Sequence, residues 1–147
     1  MNRYERTQIG WVVICVVCIA IILVAVKLPS ESSTAQKNSL LVLGVLTLTL
    51  ALFYKLTVKI VNSALRISLG VGLIRRTIEL GEIEATGPVR IRWWYGWGIH
   101  LTPYGWLYNV TGWDAVAIKL RNGRKLAIGT ADPQGLLEAI RRFTSAR

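Results

Sequence analysis

IGWVVICVVCIAIILVAV, residues Ile9 to Val26, runs for eighteen residues without a charge. At about 1.5 Å of rise per residue a helix of that length covers roughly 27 Å, just enough to cross a hydrocarbon core. No polar face interrupts it, which argues against a helix packed inside a soluble protein. Arg3 and Arg6 precede the run as they would in a cleaved signal peptide. Its length exceeds the usual signal core, however, and the nearest small-residue cleavage pattern, Ser33-x-Ala35, lies far beyond its end.

A second apolar stretch follows, LLVLGVLTLTLALFY at Leu40 to Tyr54, and Lys55 after it can carry its ammonium to a membrane interface. Thr47 and Thr49 cost little in lipid, because a helical threonine hydroxyl bonds a carbonyl one turn earlier. Between the two stretches KLPSESSTAQKNS is too short for a domain, so the expectation is an antiparallel helical hairpin over residues 1–56, with spans at about 9–26 and 39–56. Both chain ends then share one side. Lys27 and Lys37 in the loop are outnumbered by Arg3 and Arg6 before the hairpin and by Lys55, Lys59, Arg66, Arg75 and Arg76 after it, which favours cytoplasmic termini. Cys15 and Cys18 fall inside the first span with no second ligand pair or histidine near them, so they are read as small packing residues.

Past Leu56 the apolar period changes to two. Leu65, Ile67 and Leu69 alternate with Arg66 and Ser68, Ile74, Ile78 and Leu80 share one parity, and VRIRW, WGIHL, WLYNV, WDAVAIKL and RKLAIGT continue the pattern. Arg76 breaks parity and predicts a strand end or a bulge. Gly70 to Gly72, Gly87-Pro88, Thr102 to Gly105, Thr111-Gly112 and Asn122-Gly123 supply turns, the last with the composition of a type I′ hairpin. About seven strands fit between residues 57 and 130, with connections too short for crossover helices, so an antiparallel barrel or sandwich is expected. Asp132 as N-cap, Pro133 at the first position and the stripe Leu136, Leu137, Ile140 and Phe143 predict a closing helix over 132–144, completing a domain at 57–147.

Charge is unequally shared: residues 1–54 carry a net +2 and residues 55–147 a net +8 of the total +10. A basic surface held beside an anionic leaflet gains roughly 1 kcal/mol per cation close to the lipid. Eight aromatics crowd the twenty-one residues from Trp93 to Trp113. Parity lets several fill a small core, tryptophan and tyrosine also settle at headgroup depth, and rings interleaved with Arg90, Arg92 and His100 can serve a partner. All three readings stay open on the sequence. No nucleophile, paired carboxylate or metal-ligand spacing accompanies His100, the only histidine, so neither catalysis, nor a cofactor, nor a metal site is expected.

The run IELGEIEA followed by RIRWWYGWGIHLTPYGWLYNVTGWDAVAIKLRNGRKLAIGTADPQGLLEAI resembles the bacterial pleckstrin-homology-like (PH-like) domain found behind a two-helix membrane hairpin, over residues 57 to 143. The resemblance implies a membrane-anchored α+β protein of the bacterial inner membrane, its PH-like barrel capped by the C-terminal helix. Little activity comes with it. The expected function is a non-enzymatic interaction or assembly module at the cytoplasmic face, for a protein partner or a homo-oligomer, with anionic lipid headgroups as the alternative and no nucleic acid. The candidate lipid or partner surface comprises Lys59, Arg66, Arg75, Arg76, Arg90, Arg92, Trp94 and Trp97. Phosphoinositide-binding members of the wider superfamily carry a dense Lys-x-Arg cluster in the first hairpin, whereas here Ile67 and Ser68 follow Arg66, one cation short.

Overall fold

The computed structural model describes residues 4–30 and 32–145; Arg3, whose charge entered the topology reading, lies outside them. The chain opens with a strand that the periodicity did not predict, β1 (Tyr4–Ile9), before α1 (Trp11–Lys27) and α2 (Ser33–Phe53) form the hairpin. Both helices are long and apolar enough to cross a membrane. Large apolar side chains such as Val16, Leu23, Leu41 and Leu48 are exposed along them. Ile9 belongs to the strand rather than to the first helix. The second helix starts six residues earlier than the expected 39, so much of the polar link forms its first turns, and Thr47 and Thr49 donate to Leu43 O and Val45 O as anticipated.

Eight further strands follow: β2 (Lys55–Val61), β3 (Ala64–Leu69), β4 (Ile74–Glu79), β5 (Ile83–Arg90), β6 (Gly98–Thr102), β7 (Gly105–Asn109), β8 (Asp114–Leu120) and β9 (Lys125–Gly129), then α3 (Pro133–Ser145). They do not close into a barrel. The first sheet is β1-β2-β3-β4, antiparallel throughout, and the second is β5-β8-β9-β7-β6, in which β7 and β9 run parallel. The expected all-antiparallel barrel of about seven strands is corrected to two sheets of nine strands with one parallel pair.

Alternation builds the core as anticipated for Leu65, Ile67 and Leu69, and it extends to β2. Leu56, Val58 and Ile60 of β2 and Leu65, Ile67 and Leu69 of β3 turn inward and are essentially inaccessible. They pack with Val116, Ile118 and Leu120 of β8, Leu126 and Ile128 of β9, and the α3 stripe Leu136, Leu137 and Ile140. Burial of each such side chain stabilises the fold by about 1.5–3 kcal/mol. Asp132 caps α3 as read from the sequence, accepting from Gly135 N at 2.9 Å.

Three turns depart from the sequence expectation. Asn122-Gly123 is not type I′: only Gly123 has a positive φ, Gly123 N donates to Leu120 O and Leu120 N to Arg124 O, the three-residue connection with a glycine bulge. The left-handed two-residue turn sits instead at Asn62-Ser63 (φ 51° and 61°), between the paired Val61 and Ala64. Gly87-Pro88 is no turn but the interior of β5, where an edge strand tolerates proline.

Buried Asn109 explains the parallel pair. Its Nδ2 donates to Gly96 O at 3.3 Å and Gly112 O at 3.4 Å, and its Oδ1 accepts from Thr111 N at 3.2 Å, turning the chain out of β7. β8 is thereby carried beyond the place that β9 takes beside β7. A Cβ on Gly129 would lie 2.2 Å from Asn109 Oδ1, so only glycine lets β9 approach. Gln8 sews β1 to the same point, donating to Gly129 O at 2.9 Å and accepting from Ala131 N at 3.0 Å. Nearby, Tyr4 is pushed above its ordinary pKa by burial, with Asp132 adding to the rise and Arg6 opposing it.

Candidate functional site

The hairpin joins the first sheet with no linker. β1 leads through Gly10 into α1, α2 passes through Tyr54 into β2, and Gly10 N donates to Tyr54 O at 2.8 Å across the junction. The turn between β3 and β4 then grips the end of α2. Gly70 N donates to Lys55 O and Val71 N to Ala51 O, satisfying a carbonyl the helix end leaves open. Gly70 has φ 54°, and a Cβ there would stand 2.1 Å from Ala51 O. Glycine is required on both counts.

That grip sets a groove of about 490 Å³ against the hairpin, on the outer face of the first sheet. Strand pleat decides its chemistry. With Leu56, Val58 and Ile60 turned inward, Lys55, Thr57 and Lys59 must turn outward. Register then places Lys59 opposite Arg66, Thr57 opposite Ser68, and Ser68 opposite Arg75. Lys55, Lys59, Arg66, Arg75 and Arg76 all line the groove, with no carboxylate among its lining residues. Glu5 on β1 reaches Lys59 Nζ at 2.6 Å and offsets one charge. Arg75 Nε donates to Gly72 O, which fixes the guanidinium over the turn. The amides of Gly70, Val71 and Gly72 are spent on Lys55 O, Ala51 O and Leu69 O. Any anion held here is therefore held by side chains and not by a backbone nest.

Of the expected surface residues, the structure gathers Lys59, Arg66, Arg75 and Arg76 into this groove and leaves the other four out. Lys55 was missed: it lines the groove from β2, while Ser68, where the sequence seemed one cation short, faces Thr57. The alternation Lys55-Thr57-Lys59 in KLTVKIV carried the signal, hidden because Lys55 also follows an apolar helix. Arg76 is neither at a strand end nor at a bulge, since β4 pairs with β3 without interruption. It has the parity of the core, but β4 is a sheet edge and Arg76 emerges into open space there.

Arg90, Arg92, Trp94 and Trp97 lie on and after β5. Arg92 packs over the Trp94 ring at 4.9 Å, Trp94 stacks edge-on with Trp93, and Trp97 meets Trp113 at 5.9 Å between centroids. Trp93, Trp94, Trp106 and Trp113 are exposed, so for them the core-filling reading is corrected. Tyr95, with Val89, packs on the small cluster of Ile91, Leu107, Ala115 and Ala127 on the outer side of the second sheet, and Tyr108 packs against the main core, as the core-filling reading has it. Part of this segment also borders the hairpin: a Cβ on Gly98 would lie 3.7 Å from the Phe53 ring, and one on Gly10 would lie 3.0 Å from Val110 O. Trp97, which meets Trp113, adjoins Gly98 in the chain, while Val71 and Leu73 (57% and 74% exposed) project from the β3–β4 turn that grips α2.

His100 Nε2 donates to Trp97 O at 2.7 Å, and among the described residues no hydrogen bond joins its ring to an acid or a nucleophile. Glu84 is engaged by Lys119 at 2.8 Å, and no group of three metal-ligating side chains occurs among the described residues. Compared with known proteins, the chain matches no family model, no curated protein and no solved structure.

Proposed function

We propose that this chain is a two-span membrane protein whose β domain holds an anionic lipid headgroup in the groove formed by Lys55, Lys59, Arg66 and Arg75. The observation that carries the reading is placement: cations from three adjacent strands line one groove, which starts at Lys55 where α2 passes into β2. The exposed apolar surface of both helices supports insertion, since water would leave it unpaid. Once α1 and α2 span, the rigid junction brings Val71, Leu73, Trp97 and Trp113 to the depth at which tryptophan and apolar turn residues settle. The groove then opens beside the phosphate layer, on the side that the lysines and arginines after the hairpin mark as cytoplasmic. A PH-like relationship accords with the two sheets and the terminal helix, and the open edges and the parallel pair depart from it.

The test uses the full chain, because an isolated segment from residue 57 would lack β1 and its pairing with β2. Purified in a zwitterionic detergent, it should retain short-chain phosphatidylglycerol over phosphatidylcholine in native mass spectrometry. Replacing Lys55, Arg66 and Arg75 together by Gln should weaken that retention on the order of 100-fold, at about 1 kcal/mol per cation. Equal retention of both lipids, or an unchanged triple variant, would sink the idea. Inorganic phosphate at matched concentration separates a lipid site from one for a soluble anion. Orientation is checked by a cysteine at Arg121 and another at Ser33: only the first should label from the cytoplasmic side, and the reverse pattern would invert the topology.

A further inference from the structure

The two sheets leave a second opening, away from the groove face. β4 ends the first sheet and β6 ends the second, each hydrogen-bonded to a neighbour on one side only. Arg76 of β4 and Leu101 of β6 stand at the same cleft of about 440 Å³, whose floor is Trp106 and Tyr108 of β7 and Leu126 of β9. Leu101 is 70% exposed and Trp106 53%, an unusual amount of apolar surface for two residues that share a cleft with the core. Arg76, Arg124 and Lys125 line it, and among the described residues none of the three is engaged in an ion pair. Among the described residues that line the cleft there is no carboxylate.

We infer that this cleft is a strand-addition site for an extended acidic segment of a protein partner, which would pair with the free edge of β4 or β6 and bridge the mouth of the sandwich. An exposed sheet edge offers a row of unpaired amides and carbonyls, the template on which extended peptides dock. Alternate side chains of such a strand face opposite ways. An apolar residue enters over Trp106 and Leu101, and its acidic neighbours, facing out of the cleft, meet the exposed side chains of Arg76, Arg124 and Lys125 at its rim. The charges also select the occupant. A second copy of this chain, at +10, would bring like charge to a cationic cleft, whereas an acidic segment gains both attraction and faster encounter. This site is independent of the headgroup groove, although Arg76 borders both.

The experiment measures fluorescence anisotropy of a labelled octapeptide alternating glutamate with valine, phenylalanine and leucine, added to the full chain in detergent. Saturable binding is expected, with slowed amide exchange across β4 or β6. Arg76→Glu and Leu101→Asp, both at exposed positions, should each weaken binding about tenfold or more. Lys55→Gln with Arg66→Gln, which empties the other groove of two cations, should leave it unchanged. Absence of saturable binding would overturn the site, as would equal binding of octaglutamate or unprotected edge amides. Displacement of the peptide by phosphatidylglycerol without any effect of Leu101→Asp would make the cleft a lipid site instead.

Discussion

The first sheet and the second sheet are built from similar sequence and behave differently. In the first, β2, β3 and β4 follow one another as hairpin neighbours, and each residue's face is set by the residue beside it. Once Leu65 and Ile67 are buried, Arg66 has only one direction to take. In the second sheet the chain order β5, β6, β7, β8, β9 becomes the spatial order β5-β8-β9-β7-β6. Position there depends on contacts between distant residues, and the tryptophans that look like core by parity stand at the surface. Charge on the first sheet follows from local register, whereas aromatic display on the second depends on the strand order and on the polar bonds of Asn109.

The difference can be broken most directly at Asn109. Asn109→Ala removes bonds to the backbone of Gly96, Thr111 and Gly112 and leaves an opening over Gly129. A buried polar group stripped of its partner costs about 1–3 kcal/mol, and the expected loss of stability falls in that range. Thermal unfolding of the full chain in detergent measures it. Tryptophan emission should change as well, because Trp97 and Trp113 flank the bonded carbonyls of Gly96 and Gly112, while the cationic groove should keep its lipid retention. Loss of both together would show that the second sheet does set the first.

The same contrast accounts for what was legible. Both apolar helices, the inward parity of β2 and β3, the Asp132 cap and the α3 stripe are local patterns, visible in a few consecutive residues. Four groove cations were visible for that reason, and Lys55 was visible in principle. β1 was not: Tyr4 to Ile9 carries weak alternation and becomes a strand because β2 lies beside it after the chain has run out through two helices and back. Nor was the parallel pair, which needs Asn109 to meet Gly129, or the tie from Gln8 to the same glycine. The open cleft between β4 and β6 follows from sheet order and so escaped as well. Arg76 was its one trace, a cation at a core parity.

The smallest effect expected sharpens the comparison at the β2–β3 turn, the connection that holds the groove in register. Asn62 and Ser63 both adopt positive φ in a two-residue hairpin, a geometry whose twist matches the strands and which favours Asn-Gly. Asn62 is well suited to the left-handed region, but Ser63 carries a Cβ that crowds the following carbonyl. Ser63→Gly removes that strain and adds some backbone entropy to the unfolded chain, so the net expectation is a gain of roughly 0.5 kcal/mol. The same thermal unfolding measurement reads it as a small upward shift, with lipid retention unaltered because Lys59 and Arg66 keep their pairing. A destabilised Ser63→Gly variant would mean that the serine is favoured by something other than turn geometry. The local character assigned to the first sheet would then fail at the turn nearest its charges.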